Sequence, residues 1–129
     1  MGNEIKYIET KKGKYPLLFS LNVMEAMQNE YGTLSCWSEL LEPGTGKEPN
    51  LKAVLFLFKE LINEGIDYEN EEKNETRVFI NERTAGRIMT EIGFKNIVSQ
   101  LKGIVTTSTS QKKDEDENEE KNLMTTQNQ

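Results

Sequence analysis

Polar and apolar positions alternate at the start of the chain, and the spacing then becomes helical. Residues 4–8 (EIKYI) and 15–19 (YPLLF) have the pattern that favours β-strands. The polar stretch 11–14 (KKGK) lies between them, and its Gly13 can adopt the positive φ of a tight turn. The pattern therefore predicts a β-hairpin, in which Pro16 restricts the second strand to an edge.

After the hairpin, apolar residues recur every three or four positions, which predicts helices. The first follows the N-cap Ser20 and ends at Gly32, and a short second helix covers 36–41. The predicted inner faces of these two helices comprise Leu21, Met24, Met27 (or Val23), Tyr31, Trp37, Leu40 and Leu41. The methionines are expected to fill the core.

The third predicted helix, 51–64, has the widest apolar stripe, which marks it as the central core helix. The stripe comprises Leu51, Val54, Leu55, Phe58, Leu61 and Ile62. Asn50 caps the helix after the Pro- and Gly-rich loop 42–50, and Gly65 is expected to end it. Residues 67–76 are then predicted to form an exposed polar loop, and 77–80 (RVFI) a short extended piece. Two further helices are predicted, one capped by Thr84 and closed by Gly93, the other at 94–105.

The C-terminal stretch 106–129 has a different character, with Leu123 and Met124 as its apolar residues. It cannot bury enough surface to offset an ordering entropy of about 1–2 kcal/mol per backbone residue. We predict a disordered acidic tail there and a single domain at 1–105. The fold class is mainly α (α+β), with an N-terminal β-hairpin followed by a bundle of four to five short helices.

The chain offers little catalytic chemistry. It has no histidine, which excludes Ser–His and Cys–His nucleophile pairs and the usual zinc sites. Its single cysteine, Cys36, is expected to be buried and structural. The GTGK stretch, 44–47, departs from the Walker pattern, and 67–76 departs from the EF-hand pattern. We expect no catalytic, cofactor-binding or metal-binding residues.

The charge balance and the apolar runs bear on the partners. The formal charge is −6 without a basic stripe in the sequence, which argues against nucleic acid as a partner. The apolar run 53–58 is too short to cross a bilayer, and the N-terminus has no apolar signal region. The sequence thus favours a cytoplasmic protein that does not bind membranes.

Several stretches together resemble a known family. They are GKYPLLFSLNVMEAMQNEYGTLSCWSELL (13–41), LKAVLFLFKELINEG (51–65), TAGRIMTEIG (84–93) and FKNIVSQLKGIV (94–105). Their layout is similar to that of tail assembly chaperones of long-tailed bacteriophages and prophages, of the Gram-positive siphophage type. The similarity covers roughly residues 13–105, and the chain departs from it in the acidic insert 67–76 and the polar tail.

The resemblance implies a non-catalytic function. Such chaperones bind the tape-measure protein and keep it soluble while the tail tube assembles in the bacterial cytoplasm, and they are absent from the mature virion. Other tail proteins and a second copy of the chain are further candidate partners. The run AVLFLF, at 53–58, is apolar on more than one helical face, so we nominate Phe56, Leu57 and Val98 as partner-binding residues.

Two other classes remain open. A small phage-encoded regulatory protein, such as an anti-repressor or a DNA mimic, would also bind protein without catalysis. A DNA mimic needs ordered rows of carboxylates on a folded surface, whereas many of these carboxylates lie in a predicted loop or tail. An enzyme that uses carboxylates alone needs two of them in one cleft, and the sequence nominates no such pair.

Overall fold

A two-stranded antiparallel hairpin and five helices form the part of the chain that the structure, a computed structural model, describes, residues 4–109. The strands are β1 (Lys6–Thr10) and β2 (Gly13–Leu17). The helices are α1 (Leu21–Tyr31), α2 (Leu34–Leu41), α3 (Leu51–Lys73), α4 (Glu82–Ile92) and α5 (residues 94–109). The predicted fold class is therefore confirmed. The predicted disorder of 106–129 is wrong for 106–109, which are helical, and its remainder, 110–129, lies outside the described residues.

The hairpin turns within the predicted stretch 11–14, but its strands lie two residues closer to the turn than the predicted 4–8 and 15–19. Thr10 pairs with Gly13 at the turn and Lys6 with Leu17 at the open end. Gly13 has φ +130°, a conformation that glycine adopts readily. Pro16 lies opposite Tyr7, and within residues 4–109 β2 pairs with β1 alone, so the missing N–H of Pro16 leaves no further strand unpaired.

Helix α3 is longer than predicted, because Gly65 does not end it. A Cβ atom on Gly65 would lie 2.7 Å from Cβ and 2.9 Å from Cγ of Pro16. Glycine is therefore required here for the close approach of β2 to the helix. The helix continues to Lys73, where Asn74 takes the left-handed conformation, with φ 55°. The prediction that 67–76 is an exposed loop is wrong for 67–73.

In addition to the contact at Gly65, hydrogen bonds join the hairpin and the residue after it to α3. The hydroxyl of Tyr7 donates a hydrogen bond to Glu69 Oε2, and Lys73 Nζ lies 3.5 Å from the same oxygen. Glu69 is 8% exposed, so these two partners compensate a carboxylate held at the edge of the core. The backbone N–H of Leu18 also donates to the carbonyl of Leu61, at 3.1 Å.

The core surrounds α3, as the wide apolar stripe predicts. Its buried members on α3 are Ala53, Val54, Leu57, Phe58, Leu61, Ile62 and Ile66. The predicted core methionines Met24, Met27 and Met89 are buried, as are Trp37 and Leu41 of α2. All of these side chains except that of Ala53 belong to one continuous cluster with buried side chains of α5.

Three predicted burials are wrong, those of Leu21, Leu51 and Cys36. Leu21 opens α1 and is 58% exposed, and Leu51 opens α3 and is 56% exposed. The predicted inner residue Leu40 is half-buried and packs against the core. Cys36 is exposed, because a one-residue step turns a helix by about 100° and the adjacent Trp37 takes the inward position. The thiol instead accepts a hydrogen bond from Oγ1 of Thr33, at 3.4 Å.

The segment 75–80 forms no strand and is held to α3 by two asparagine amides. Asn63 accepts from the N–H of Ile80 at 2.8 Å and donates to its carbonyl at 3.0 Å. Asn70, two turns further along α3, makes the same pair of bonds to Arg77, both at 3.0 Å. These bonds satisfy backbone groups that a strand partner would otherwise satisfy. They also fix the position from which the chain enters α4.

The last two helices begin and end differently from the prediction. Asn81, rather than Thr84, caps α4, since its Oδ1 accepts from the N–H of Thr84 at 2.9 Å. Helix α5 continues through residue 109, four residues beyond the predicted end at Val105. No helix within residues 4–109 combines the length and the apolar character needed to cross a membrane.

Substituting Gly65 by alanine should lower the free energy of unfolding by about 1–3 kcal/mol, because the added methyl group overlaps the rigid ring of Pro16. Gly103→Ala is the matched control, since that helical position has open space within 4 Å and alanine favours helix by up to about 1 kcal/mol. Urea unfolding measures both variants. Equal stability of the two would contradict the close contact.

The Tyr7–Glu69 bond predicts an alkaline dependence of stability. The hydrogen bond to Glu69 raises the pKa of Tyr7 above its usual value of about 10, and desolvation and the charge of Glu69 act in the same direction. The folded state thus holds this proton more tightly, and the stabilisation is lost as the pH rises through the folded pKa. The stability difference between wild type and Tyr7→Phe should shrink above about pH 10. A difference that stays constant with pH would contradict the bond.

Asn63→Ala should speed hydrogen exchange at the Ile80 amide, because that N–H loses its acceptor. The Arg77 amide, held by Asn70, should change much less. Asn70→Ala is the reciprocal control and should reverse the pattern. Uniform acceleration at both amides in either variant would mean that the segment is not held by two separate clamps.

Candidate partner-binding groove

A groove runs between the loop 42–50 and helices α3, α4 and α5. It consists of three open depressions of about 610, 600 and 460 Å³. The smallest lies between the other two: it shares Glu48, Pro49 and Phe94 with one of them and Leu55, Gly86 and Thr90 with the other. Its apolar floor comprises Pro49, Leu51, Leu55, Met89, Phe94 and Val98. We call this surface the α3–α5 groove.

The loop and the start of α3 form one wall of the groove. The N–H of Asn50 donates to the carbonyl of Leu40 at 2.7 Å, which ties the loop to the end of α2. Asn50 Oδ1 then accepts from the N–H of Ala53 at 2.9 Å and caps α3. Leu51 is thereby held at the first helical position with 56% of its surface exposed.

The turn between α4 and α5 forms the opposite wall. Gly93 has φ +107°, and its N–H donates to the carbonyl of Met89 at 2.7 Å. Its own carbonyl accepts from the N–H of Ile97 at 3.0 Å, so α5 starts immediately after α4 ends. This sharp turn places half-buried Phe94 and buried Val98 beside Met89.

Between α3 and α4 the groove is lined by small residues, which do not cover the floor. A Cβ on Gly86 would lie 3.9 Å from Leu55 Cδ2, an ordinary contact distance. Gly86 and Thr90 are one turn apart on α4, and both line the groove. Side chains of this size leave Leu55 accessible to an apolar side chain from outside.

The rim of the groove is positively charged. Five cations line it, against the two carboxylates of Glu48 and Glu82; the cations are Lys47, Arg83, Arg87, Lys95 and Lys102. Among residues 4–109, only Lys102 of these five has a carboxylate oxygen within 4.0 Å, that of Glu42 at 3.6 Å. Glu82 also acts outside the groove, since burial and the carboxylates of Glu30 and Glu82 raise the pKa of Tyr31.

The three nominated binding residues have different positions. Val98 lies in the floor of the groove. Leu57 is fully buried in the core, which corrects its nomination, because it has no surface to offer a partner. Phe56 is half-buried; its ring meets Tyr31 edge to face at 5.8 Å between centroids, and Lys59 Nζ lies 4.8 Å from the ring centroid.

Other exposed apolar groups were missed by the sequence reasoning. The apolar spacing predicts Leu51 and Leu55 in the inner stripe of the core helix, yet they lie on its flank and line the groove. Val78 and Phe79, in the clamped segment 75–80, are 81% and 54% exposed. The run RVFI, between two polar stretches, was the available signal for this second patch.

The described residues, 4–109, contain no group of three or more His, Cys, Asp or Glu side chains arranged to hold a metal ion. The groove instead offers an apolar floor and separated surface charges, an arrangement that suits the apolar face of a polypeptide. A comparison of the chain with family models, curated proteins and solved structures finds no match in any of the three.

Proposed function

We propose that this protein is a tail assembly chaperone of a long-tailed bacteriophage or prophage, which binds the tape-measure protein and keeps it soluble while the tail tube assembles. The α3–α5 groove is the observation that carries the proposal. A long, largely helical and apolar partner needs a surface that can cover its apolar face, and such a groove supplies one without any chemistry.

The dimensions and composition of the groove support this use. An amphipathic helix presents apolar residues at spacings of three and four, and the floor offers six apolar side chains contributed by a loop and three helices. Leu51, Leu55 and Phe94 are incompletely buried in the free protein, so a bound helix would remove their remaining surface from water. Hydrophobic burial is then the main source of affinity.

The resemblance of the sequence stretches named above also supports the proposal. It implies the order of a hairpin, two helices, a central helix and two closing helices for such a chaperone, and the chain has its elements in this order. The proposal places the protein in the host cytoplasm and outside the mature virion. The net charge of −6 then keeps complexes with an apolar partner from associating with one another.

Co-expression with the tape-measure protein of the same genome tests this proposal. The tape-measure protein, insoluble when made alone, should stay in solution and co-purify with this protein. If it remains insoluble although this protein is folded, the chaperone function is wrong and the regulatory-binder class takes its place.

Leu51→Glu should weaken the binding of the tape-measure protein by about tenfold or more, because a charge replaces apolar surface in the groove floor. Leu21→Glu is a close control. Both leucines are the first residue of a helix and are exposed to 56% and 58%, and glutamate is well tolerated at that helical position. Equal loss in both variants, or loss in neither, would place the binding surface elsewhere.

A further inference from the structure

The α3–α5 groove is a positive surface on a negative domain. Its lining carries five Lys and Arg against two Glu, a local charge of +3. Residues 4–109 as a whole carry 13 Lys and Arg against 16 Asp and Glu, or −3. The remainder of the described residues therefore carries −6, and the groove attracts an acidic segment that the rest of the domain repels.

The chain itself contains a segment of matching character. Residues 114–120 (DEDENEE) hold six carboxylates in seven positions, and Leu123 and Met124 follow them. An acidic run followed by an apolar pair matches a rim of cations around an apolar floor. The segment 110–129 carries three lysines as well, and its net charge is −3.

Chain length allows the segment to reach the groove. Helix α5 lines the groove with Phe94, Val98 and Lys102. The helix ends its described course at Thr109, about 10 Å beyond Lys102. The 14 residues from 110 to 123 span up to about 45 Å when extended, and about 20 Å on average as a flexible chain. A tether of this length gives an effective concentration on the order of millimolar, so even weak contacts are populated.

We propose that the acidic C-terminal segment, residues 110–129, binds in the α3–α5 groove of its own domain, with carboxylates of 114–120 at the cationic rim and Leu123 and Met124 against the apolar floor. The segment occupies the groove while no partner is bound. An incoming helix must displace it, which lowers the apparent affinity and disfavours weak, unspecific apolar ligands. This competition rests on the proposed function, whereas the docking itself does not.

A spin label on the full chain tests the docking. In a Cys36→Ser background, Met124→Cys carries a nitroxide, and broadening of ¹⁵N-labelled backbone amides reports what lies near it. Amides of Leu51, Thr90 and Lys95 should broaden, whereas that of Asn74 should not, because it lies about 34 Å from Leu51 along α3. No broadening at the groove would overturn the proposal.

Charge variants test the role of the rim. Lys47→Glu with Lys95→Glu should abolish the broadening, and so should 1 M salt, which screens charges beyond about 3 Å. Lys6→Glu with Lys12→Glu changes the net charge equally on the exposed hairpin and should leave the broadening intact. Equal loss in both double variants would overturn the proposal. Replacing the six carboxylates of 114–120 by their amides should also abolish the broadening, and this change leaves residues 1–109 as they are.

Mixed samples distinguish a second copy from the same chain. Spin-labelled ¹⁴N protein mixed with unlabelled ¹⁵N protein should give no groove broadening at low concentration. Broadening in the mixture equal to that within one chain would overturn the proposal in favour of exchange of tails between copies.

Binding of the tape-measure protein tests the competition separately. The full-length variant with Asn and Gln in place of the six tail carboxylates should bind the tape-measure protein about two- to tenfold more tightly than wild type does. This is the gain expected when a competitor tethered at millimolar effective concentration is removed. Equal binding by both proteins overturns the competition while leaving the chaperone function intact. Absence of binding by both overturns the chaperone function, and the spin-label result then decides the docking alone.

Discussion

The contact between Gly65 and Pro16 fixes where the hairpin lies on the central helix, and the rest of the fold is arranged around that pair of elements. Only a glycine lets the proline ring approach the helix so closely. One turn further along α3, Glu69 accepts a hydrogen bond from the hydroxyl of Tyr7, and one turn before Gly65 the carbonyl of Leu61 accepts from the N–H of Leu18. With one side of α3 covered in this way, α1, α2 and α4 pack against its remaining faces.

Local signals in the sequence predicted most of the elements. The turn at Gly13 and the caps Ser20 and Asn50 depend on residues within a few positions, and all three occur as expected. The role of Gly65 could not be predicted from its neighbours in the sequence, because glycine is favoured both at the end of a helix and at a close contact with another element. What decides between them is Pro16, 49 positions earlier in the chain. The burial of Glu69 likewise depends on Tyr7, which is remote in sequence.

The groove was less predictable than the fold. Apolar spacing identifies the wide stripe of α3, but it does not tell which flank of that stripe other helices cover. Leu57 therefore appeared available although it lies in the core, and Leu51 appeared buried although it lies at the surface. The rim cations are spread from Lys47 to Lys102 without forming a stripe in the sequence, and folding collects them around one surface.

Photo-crosslinking from the groove tests the central claim, that this surface holds a helix of the tape-measure protein, most directly. A benzophenone side chain replaces Leu51 in one variant and Leu21 in another, each co-expressed with the tape-measure protein of the same genome. We expect a covalent adduct from position 51 and none from position 21. Adducts from position 21 alone, or from neither while the two proteins co-purify, would contradict this claim.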